Sequence, residues 1–374
     1  MAHLHLDPDL RLPVDLLPAD GRFGSGPAKI RQAAAAVVST SPVLGTSHRQ
    51  EPVRTLVGRV REGLSALYRA PEGYELVLGN GGSTLFWDIA VSSLIERRSA
   101  HAVLGEFSAK FAAASAAAPF LDEPEVDRVE PGSGVALAPT DADVYAWPQN
   151  ETSTGVSLPV RRVVDDGSLM LIDATSAAGG IDVDLSQTDA WYFAPQKNLG
   201  SDGGLWLAFL SPAAIDRAYR LAAGSRWIPG GLELVGPIEQ SRKNQTVNTP
   251  AIATLLMLDA QVQWLLDNGG IEFAADRTRR GSDALYAWAS AHPLATPFVA
   301  DPQYRSPVVV TIDFSEELDA AALAAVLRAN GIVDVEPYRK LGRNQLRIGT
   351  YAAVDPEDVQ ALIRCLDWIL ERVG

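Results

Sequence analysis

Apolar positions along the chain follow two rhythms. Val53, Leu56, Val57, Val60, Leu64 and Leu67 recur three and four apart, which predicts a long amphipathic helix. Elsewhere the apolar residues stand in short solid runs: 74–78, 101–105, 144–147, 169–172, 190–193 and 205–210. Runs of that length, bounded by glycine, proline or polar residues, predict buried strands. Helical stretches at 30–38, 85–95, 110–118 and 251–266 lie between and beyond them. Strands alternating with helices describe a mostly parallel sheet flanked by helices. Thr249 reads as the N-cap of the 251–266 helix, with Pro250 at its first position. Residues 226–237 are rich in glycine and proline and read as a loop.

From about Ile271 the pattern changes. A helix (273–291), a strand (308–312), a helix (318–329), β segments at 332–335 and 346–348, and a final helix (356–373) form an α+β set. The expected fold class is therefore α/β, with a large sheet domain over 21–268. A smaller α+β domain comprises 269–374 and an N-terminal arm, 1–20.

Polar residues collect where the predicted strands end. Gly79-Asn-Gly-Gly-Ser-Thr84 follows the first strand, Phe107 the second, and Thr152 lies just after the third. Asp173 ends the fourth, and Pro195-Gln-Lys197 follows the fifth. Parallel sheets bind ligands at these ends. A strand, a glycine-rich turn and a helix expose backbone N–H groups to a phosphate, although Gly79–Thr84 matches neither a P-loop nor a dinucleotide fingerprint. Lys197 lies between two apolar runs. Alone it reads equally as a strand-end lysine facing solvent, or as one whose amine loses its proton or joins a carbonyl. His48 and Arg49 precede the helix that begins near Val53, and alone they read as an ordinary polar loop.

Composition narrows the classes. With 374 residues, 47% of them hydrophobic, the chain suits a two-domain globular body. A formal charge of −14 argues against nucleic-acid or anionic-membrane partners. No apolar stretch has membrane-spanning length, and there is no leader pattern, so a cytoplasmic setting is expected. A single cysteine, Cys365, removes any intrachain disulfide and reads as a buried helix thiol. His3, His5, His48, His101 and His292 show no metal-ligand spacing, so no metal is expected.

The strand-end residues share one chemistry. An imine-forming Lys197, an anion cradle at Gly81–Thr84 and a carboxylate (Asp173) for a ring nitrogen match what pyridoxal 5′-phosphate requires. Phe107 supplies a flat wall and Thr152 a hydroxyl partner for the ring. The freed Lys197 amine is then a natural general base. In these segments, and in Phe23-Gly-Ser-Gly-Pro, Thr46-Ser-His-Arg, Asn150-Glu-Thr, Ala194-Pro-Gln-Lys-Asn-Leu-Gly, Asn248-Thr-Pro and Gly342-Arg-Asn-Gln-Leu-Arg347, the chain resembles the phosphoserine aminotransferases. These belong to the class V branch of fold-type I pyridoxal-phosphate enzymes, and the resemblance is collinear over nearly the whole length.

The resemblance implies that Lys197 carries the cofactor as a Schiff base and that Gln196 contacts it. It implies that Gly82 and Ser83 hold the phosphate, with Asn248 and Thr249 reaching in from a second subunit of a homodimer with shared sites. Glutamate would donate an amino group to 3-phosphohydroxypyruvate in ping-pong half-reactions of serine biosynthesis. The phosphorylated hydroxythreonine precursor of vitamin B6 would use the same residues. Arg347 would clamp the α-carboxylate. His48, Arg49 and Arg343 would receive the distal anion. Two departures stand out. Phe107 replaces a frequent tryptophan, and Gly342-Arg343 replaces a frequent His-Arg pair, which leaves Lys243 as a candidate for the missing charge. Three other readings compete. A small-amino-acid or glyoxylate aminotransferase would not need the basic cluster, a cysteine desulfurase would need a mobile cysteine, and a non-catalytic binding module would be expected to lose Lys197 or Asp173.

Overall fold

The solid apolar runs become strands of one seven-stranded sheet. The computed structural model describes residues 6–372. In chain order, α1 (Gln32–Thr40) and α2 (Glu51–Leu67) lead into β1 (Glu75–Gly81), α3 (Ser83–Ser93), β2 (Ser99–Val103) and α4 (Glu106–Ala117). Then come β3 (Glu125–Arg128), β4 (Val144–Pro148), and a small hairpin of β5 (Asn150–Glu151) and β6 (Val156–Ser157). β7 (Leu169–Asp173), β8 (Ala190–Phe193), β9 (Gly204–Leu210), α5 (Pro212–Ala222), α6 (Val235–Ser241) and α7 (Ile252–Asp267) follow. The last third holds α8 (Gly270–Ala291), β10 (Ala295–Pro297), β11 (Val309–Phe314), α9 (Ala320–Ala329), β12 (Gln345–Gly349) and α10 (Pro356–Leu370).

The sheet order is β1-β9-β8-β7-β4-β2-β3. β9 runs antiparallel to both neighbours, and the other adjacent pairs are parallel. β2, β4 and β8 are buried along their whole length, as strands covered on both faces must be. Alternate residues serve opposite faces. Tyr145, Trp147, Met170, Ile172, Trp191 and Phe193 pack in a core with α2 and α7. Val144, Ala146, Leu169, Leu171, Ala190 and Tyr192 pack in another with α3 and α5. A third core joins α8, α9, α10 and the antiparallel sheet β10-β11-β12, and takes in Leu6, Leu12 and Phe23 from near the N-terminus. The Cys365 thiol lies in this core on α10 and donates to the Leu16 carbonyl at 3.3 Å.

Several local expectations fail. The segment 332–335 is not a strand; Val333 makes a single parallel bridge to Arg22. Thr249 does not cap α7, which begins at Ile252 after Ala251 without a side-chain cap. Residues 235–237 are helical, because Glu233 accepts hydrogen bonds from Val235 N and Gly236 N and a proline is tolerated in a first turn. α4 starts at Glu106, so Phe107 stands on a helix's first turn, not at the end of a strand. β3, α5 and β10 are additional elements, and residue 373 of the expected last helix lies outside the described residues.

Candidate active site

The chain reverses between β8 and β9, and this reversal holds Lys197. β8 runs parallel to β7 and β9 runs back beside it, so residues 194–203 sit at the carboxyl end of the parallel strands. Lys197 Nζ donates to the Ser25 carbonyl at 2.9 Å and lies 6.0 Å from the centre of the Phe107 ring. Burial, together with the Arg347 charge, pushes the amine down to about 8, while Asp173 and Glu151 oppose the shift. Glycine at position 26 is needed for this approach, because an added Cβ would stand 1.8 Å from Lys197 Nζ. Tyr351 OH donates to the same Ser25 carbonyl at 2.7 Å.

Asp173 closes β7, the strand beside β8. Its Oδ1 accepts from Thr175 N at 2.9 Å, and Oδ2 accepts from Trp87 Nε1 at 3.3 Å. Burial nevertheless pushes its carboxyl up to about 6. No basic side chain is paired with it among the described residues, so it suits a cationic ring nitrogen. The Thr175 hydroxyl donates to Asp173 Oδ1 and lies 2.7 Å from Ser83 Oγ, from which it can accept, and this ties Asp173 to the start of α3. Gly82, just before α3, faces open space, and no side chain caps that helix. Its free N–H groups therefore suit a phosphate.

Arg347 comes from β12 of the small sheet. Its Nη1 donates to the Thr152 carbonyl at 3.2 Å, and its guanidinium lies 5.3 Å from the Tyr338 ring centre. Thr152 Oγ1 donates to Ser176 Oγ at 2.8 Å. The Gln196 carbonyl accepts from Ala28 N at 2.9 Å. Of the buried side-chain polar atoms without partners among the described residues, Ser25 Oγ, Asn150 Oδ1, Gln196 Oε1 and Arg347 Nε belong to these same segments, and others, His48 Nε2 among them, lie elsewhere. Such atoms are costly unless a ligand meets them. The set fits a phosphorylated pyridoxal: an amine, a ring-nitrogen partner, a flat wall, a helix start and an arginine with a free donor.

The other predicted residues form a second cluster. Arg49 donates to Gln240 Oε1 (3.1 Å), Gln245 Oε1 (2.7 Å), the Thr246 carbonyl (2.9 Å) and the Val247 carbonyl (3.0 Å). His48 Nδ1 and Thr249 Oγ1 are 3.1 Å apart, and Asn80 Nδ2 donates to the Thr249 carbonyl at 2.7 Å. Burial and the neighbouring Arg49 lower the His48 pKa. Asn248, Thr249, Arg49 and Lys243 are exposed. His48 and Arg49 thus stand with Asn248 and Thr249 and not with Arg343.

Arg343 itself is held elsewhere. It is ion-paired with Asp313 on β11 and lies 4.5 Å from the Phe298 ring centre. The loop just before it reaches the site instead. Tyr338 meets Phe107 edge-on at 5.8 Å, and Lys340 pairs with Glu106, the neighbour of Phe107.

A family model for class V aminotransferases matches residues 32–362. The chain belongs to the class V aminotransferase family. A phosphoserine aminotransferase of a Nocardioides species is 56% identical over 370 residues, covering 97% of this chain and 99% of its own. Among solved structures, a phosphoserine aminotransferase from Cytophaga hutchinsonii superposes with a TM-score of 0.85 at 22% identity, over 95% of this chain and all of that one. A pyridoxal-phosphate-bound phosphoserine aminotransferase from Trichomonas vaginalis gives 0.79 at 19%, over 93% and 99%. At such identities the structural matches speak for the fold alone. The aminotransferase therefore has the fold-type I architecture expected from its sequence, with a large, mostly parallel sheet.

Sequence reasoning passed over Tyr338, Lys340, Trp87, Thr175 and Glu151. Tyr338 and Lys340 fall in an irregular stretch with no periodic signal. Trp87 reads as one more apolar residue of a core helix. Thr175 and Glu151 were visible inside quoted motifs, but nothing in their spacing says which group each one meets.

Proposed function

We propose that the chain is a phosphoserine aminotransferase. It transfers an amino group from L-glutamate to 3-phosphohydroxypyruvate, giving O-phospho-L-serine and 2-oxoglutarate. Pyridoxal 5′-phosphate is the cofactor, and when bound it supplies a carbonyl for the amino group and a ring that draws electrons from the substrate's α-carbon. The observation that carries the chemistry is the pairing of opposite shifts at adjacent strand ends: Lys197 pushed down to about 8 and Asp173 pushed up to about 6. The substrate pair follows the name of the Nocardioides relative and the chain's basic residues.

In this reading Lys197 holds the cofactor between turnovers, and its freed Nζ takes the substrate's α-proton. Asp173 keeps the ring nitrogen protonated. Phe107 covers the ring, Thr152 meets the ring hydroxyl, and Gln196 turns its unpaired carbonyl oxygen toward the cofactor. Gly82 and Ser83 hold the phosphate, helped by Asn248 and Thr249 of a second copy of the chain. Arg49 and His48 are bonded to that same segment, so they enter the neighbouring site with it and receive the substrate's distal anion. Arg347 clamps the α-carboxylate with its free donor. Lys340, not Arg343, is the base that the small domain brings beside Phe107. The setting is serine biosynthesis in the cytoplasm, by a homodimer. The phosphorylated four-carbon oxo acid of vitamin B6 synthesis fits the same groups.

A visible spectrum of the purified protein tests this. Yellow protein bleached by O-phosphoserine but not by alanine is expected. Equal bleaching by alanine would remove the substrate assignment and leave the cofactor.

A further inference from the structure

Glu151 has no role in the reading above, yet it is fully buried beside the site. Its Oε2 accepts from Ser108 N at 2.9 Å and Ser108 Oγ at 2.7 Å. Its Oε1 accepts from Phe107 N at 3.4 Å, Ser153 N at 3.2 Å and Ser153 Oγ at 2.6 Å. Ser153 Oγ in turn accepts from Glu106 N at 3.0 Å. The N–H groups of the first three residues of α4 are thus met by Glu151 and its neighbour. A helix start normally takes its cap from the residue just before it. Here that residue is Gly105. A Cβ on it would stand 2.4 Å from Ser153 Oγ and 2.7 Å from Glu151 Cγ, so the carboxylate fills the place where a local cap would sit.

A cap brought from a distant hairpin does something that a local one does not. It fixes the first turn of α4 relative to β5 and the turn after it. That turn is already tied to the site: Asn150 Nδ2 and Thr152 Oγ1 both donate to Ser176 Oγ at 2.8 Å, and the Thr152 carbonyl receives Arg347. Phe107 is the second residue of α4. Its backbone is therefore tied to the same hairpin that holds Arg347, and through Ser176 to the segment that follows Asp173. The carboxylate also favours the helix start electrostatically.

We propose that Glu151 is a positioning residue for the cofactor: it sets the Phe107 ring over the cofactor plane by capping the first turn of α4 from the β5 hairpin. The proposal rests on the reading that Phe107 stacks on the ring. Glu151 touches neither substrate nor cofactor in this role and acts through Phe107.

The test is a double-mutant cycle on cofactor binding, not on turnover. Apo protein is titrated with pyridoxal 5′-phosphate, and the induced circular dichroism of its visible band is recorded for wild type, F107A, E151Q, S153A and F107A/E151Q. F107A is expected to weaken binding by roughly tenfold. E151Q and S153A, which keep the side-chain volume or remove a single hydroxyl, are expected to weaken it several-fold and to shrink the induced band. The decisive result is that E151Q adds nothing in the F107A background. D319A removes a local cap, that of α9, where Asp319 accepts from Ala321 N and Ala322 N. It should lower the melting temperature and leave cofactor binding and the induced band alone. Losses from F107A and E151Q that multiply, or an E151Q protein that binds like wild type, would overturn the positioning role while the stacking reading stands. An F107A protein that binds like wild type would remove the stacking reading and this role together.

Discussion

The two clusters of candidate site residues are built in different ways. Asp173 ends a strand of the buried sheet, Lys197 lies in the turn after another, and Phe107 stands on the first turn of α4; their polar neighbours are backbone groups, hydroxyls and an indole of the same chain. His48, Arg49, Asn248 and Thr249 stand on loops at the β1 edge, mostly exposed, and bonded chiefly to one another's segments. The first cluster has the burial needed to shift ionisation. The second has charge and surface, but little to enclose a ligand. Under the proposed function, bond-making chemistry sits where one chain can exclude water alone. Recognition of the substrate's distal anion is left to a surface that gains an interior only against another copy.

The sharpest way to break this contrast is Lys197→Ala. It should abolish the visible cofactor band and lower turnover by about a thousandfold or more, read from absorbance and steady-state rates. A band that survives would move the chemistry to another amine. Next in size is Arg49→Ala, expected to raise the KM for phosphoserine roughly tenfold to a hundredfold with the cofactor band intact. Its mixture with Lys197→Ala is more telling. If sites are shared, half of the reshuffled dimers carry one site with both residues, and activity returns to roughly a quarter of wild type. No recovery after reshuffling would mean that each site takes both residues from one chain.

Asp173 gives a smaller effect with a definite sign. Its folded pKa is raised from 3.8 to about 6, so the stability it contributes is present below pH 3.8 and is lost as pH rises through 6. Apo Asp173→Asn should match apo wild type near pH 4 and exceed it by about 2–3 kcal/mol at pH 7, measured by denaturant titration. With cofactor added the order should reverse, because the charge then has its partner. Smaller still, Lys243→Ala should raise the KM for phosphoserine a few-fold without touching the spectrum, as an exposed charge would. Arg343→Ala should change it less than twofold, because its guanidinium already belongs to Asp313. Equal effects of the two would return Arg343 to the substrate.

The large sheet was legible because doubly covered parallel strands leave solid apolar runs, as 144–147 and 190–193 do. β3 was not, since an edge strand reading Glu-Val-Asp-Arg has neither a run nor a clear alternation. α5 could have been found: Ser211 caps it, Pro212 opens it, and Ala214, Ile215, Ala218 and Leu221 line one face. At the candidate site, Lys197 and Asp173 stand out in the sequence because each is a polar break at the end of an apolar run. The Arg343–Asp313 pair was not legible, because arginine spacing along a loop does not reveal which carboxylate lies opposite. Asp313 sits thirty residues away in sequence and across a strand pair.

β9 pairs with β1 as far as Gly81↔Gly204 and with β8 as far as Phe193↔Leu207. One strand is thus the common ruler for the turn at Gly82 and the turn at Lys197. A residue lost from its middle would slide both turns by about 3.3 Å and turn its inward side chains out. The distance between the turn at Gly82 and the Lys197 amine is therefore inherited as a single length. Descendants of this chain are free to lengthen the loops around the site, but not the strand that measures it.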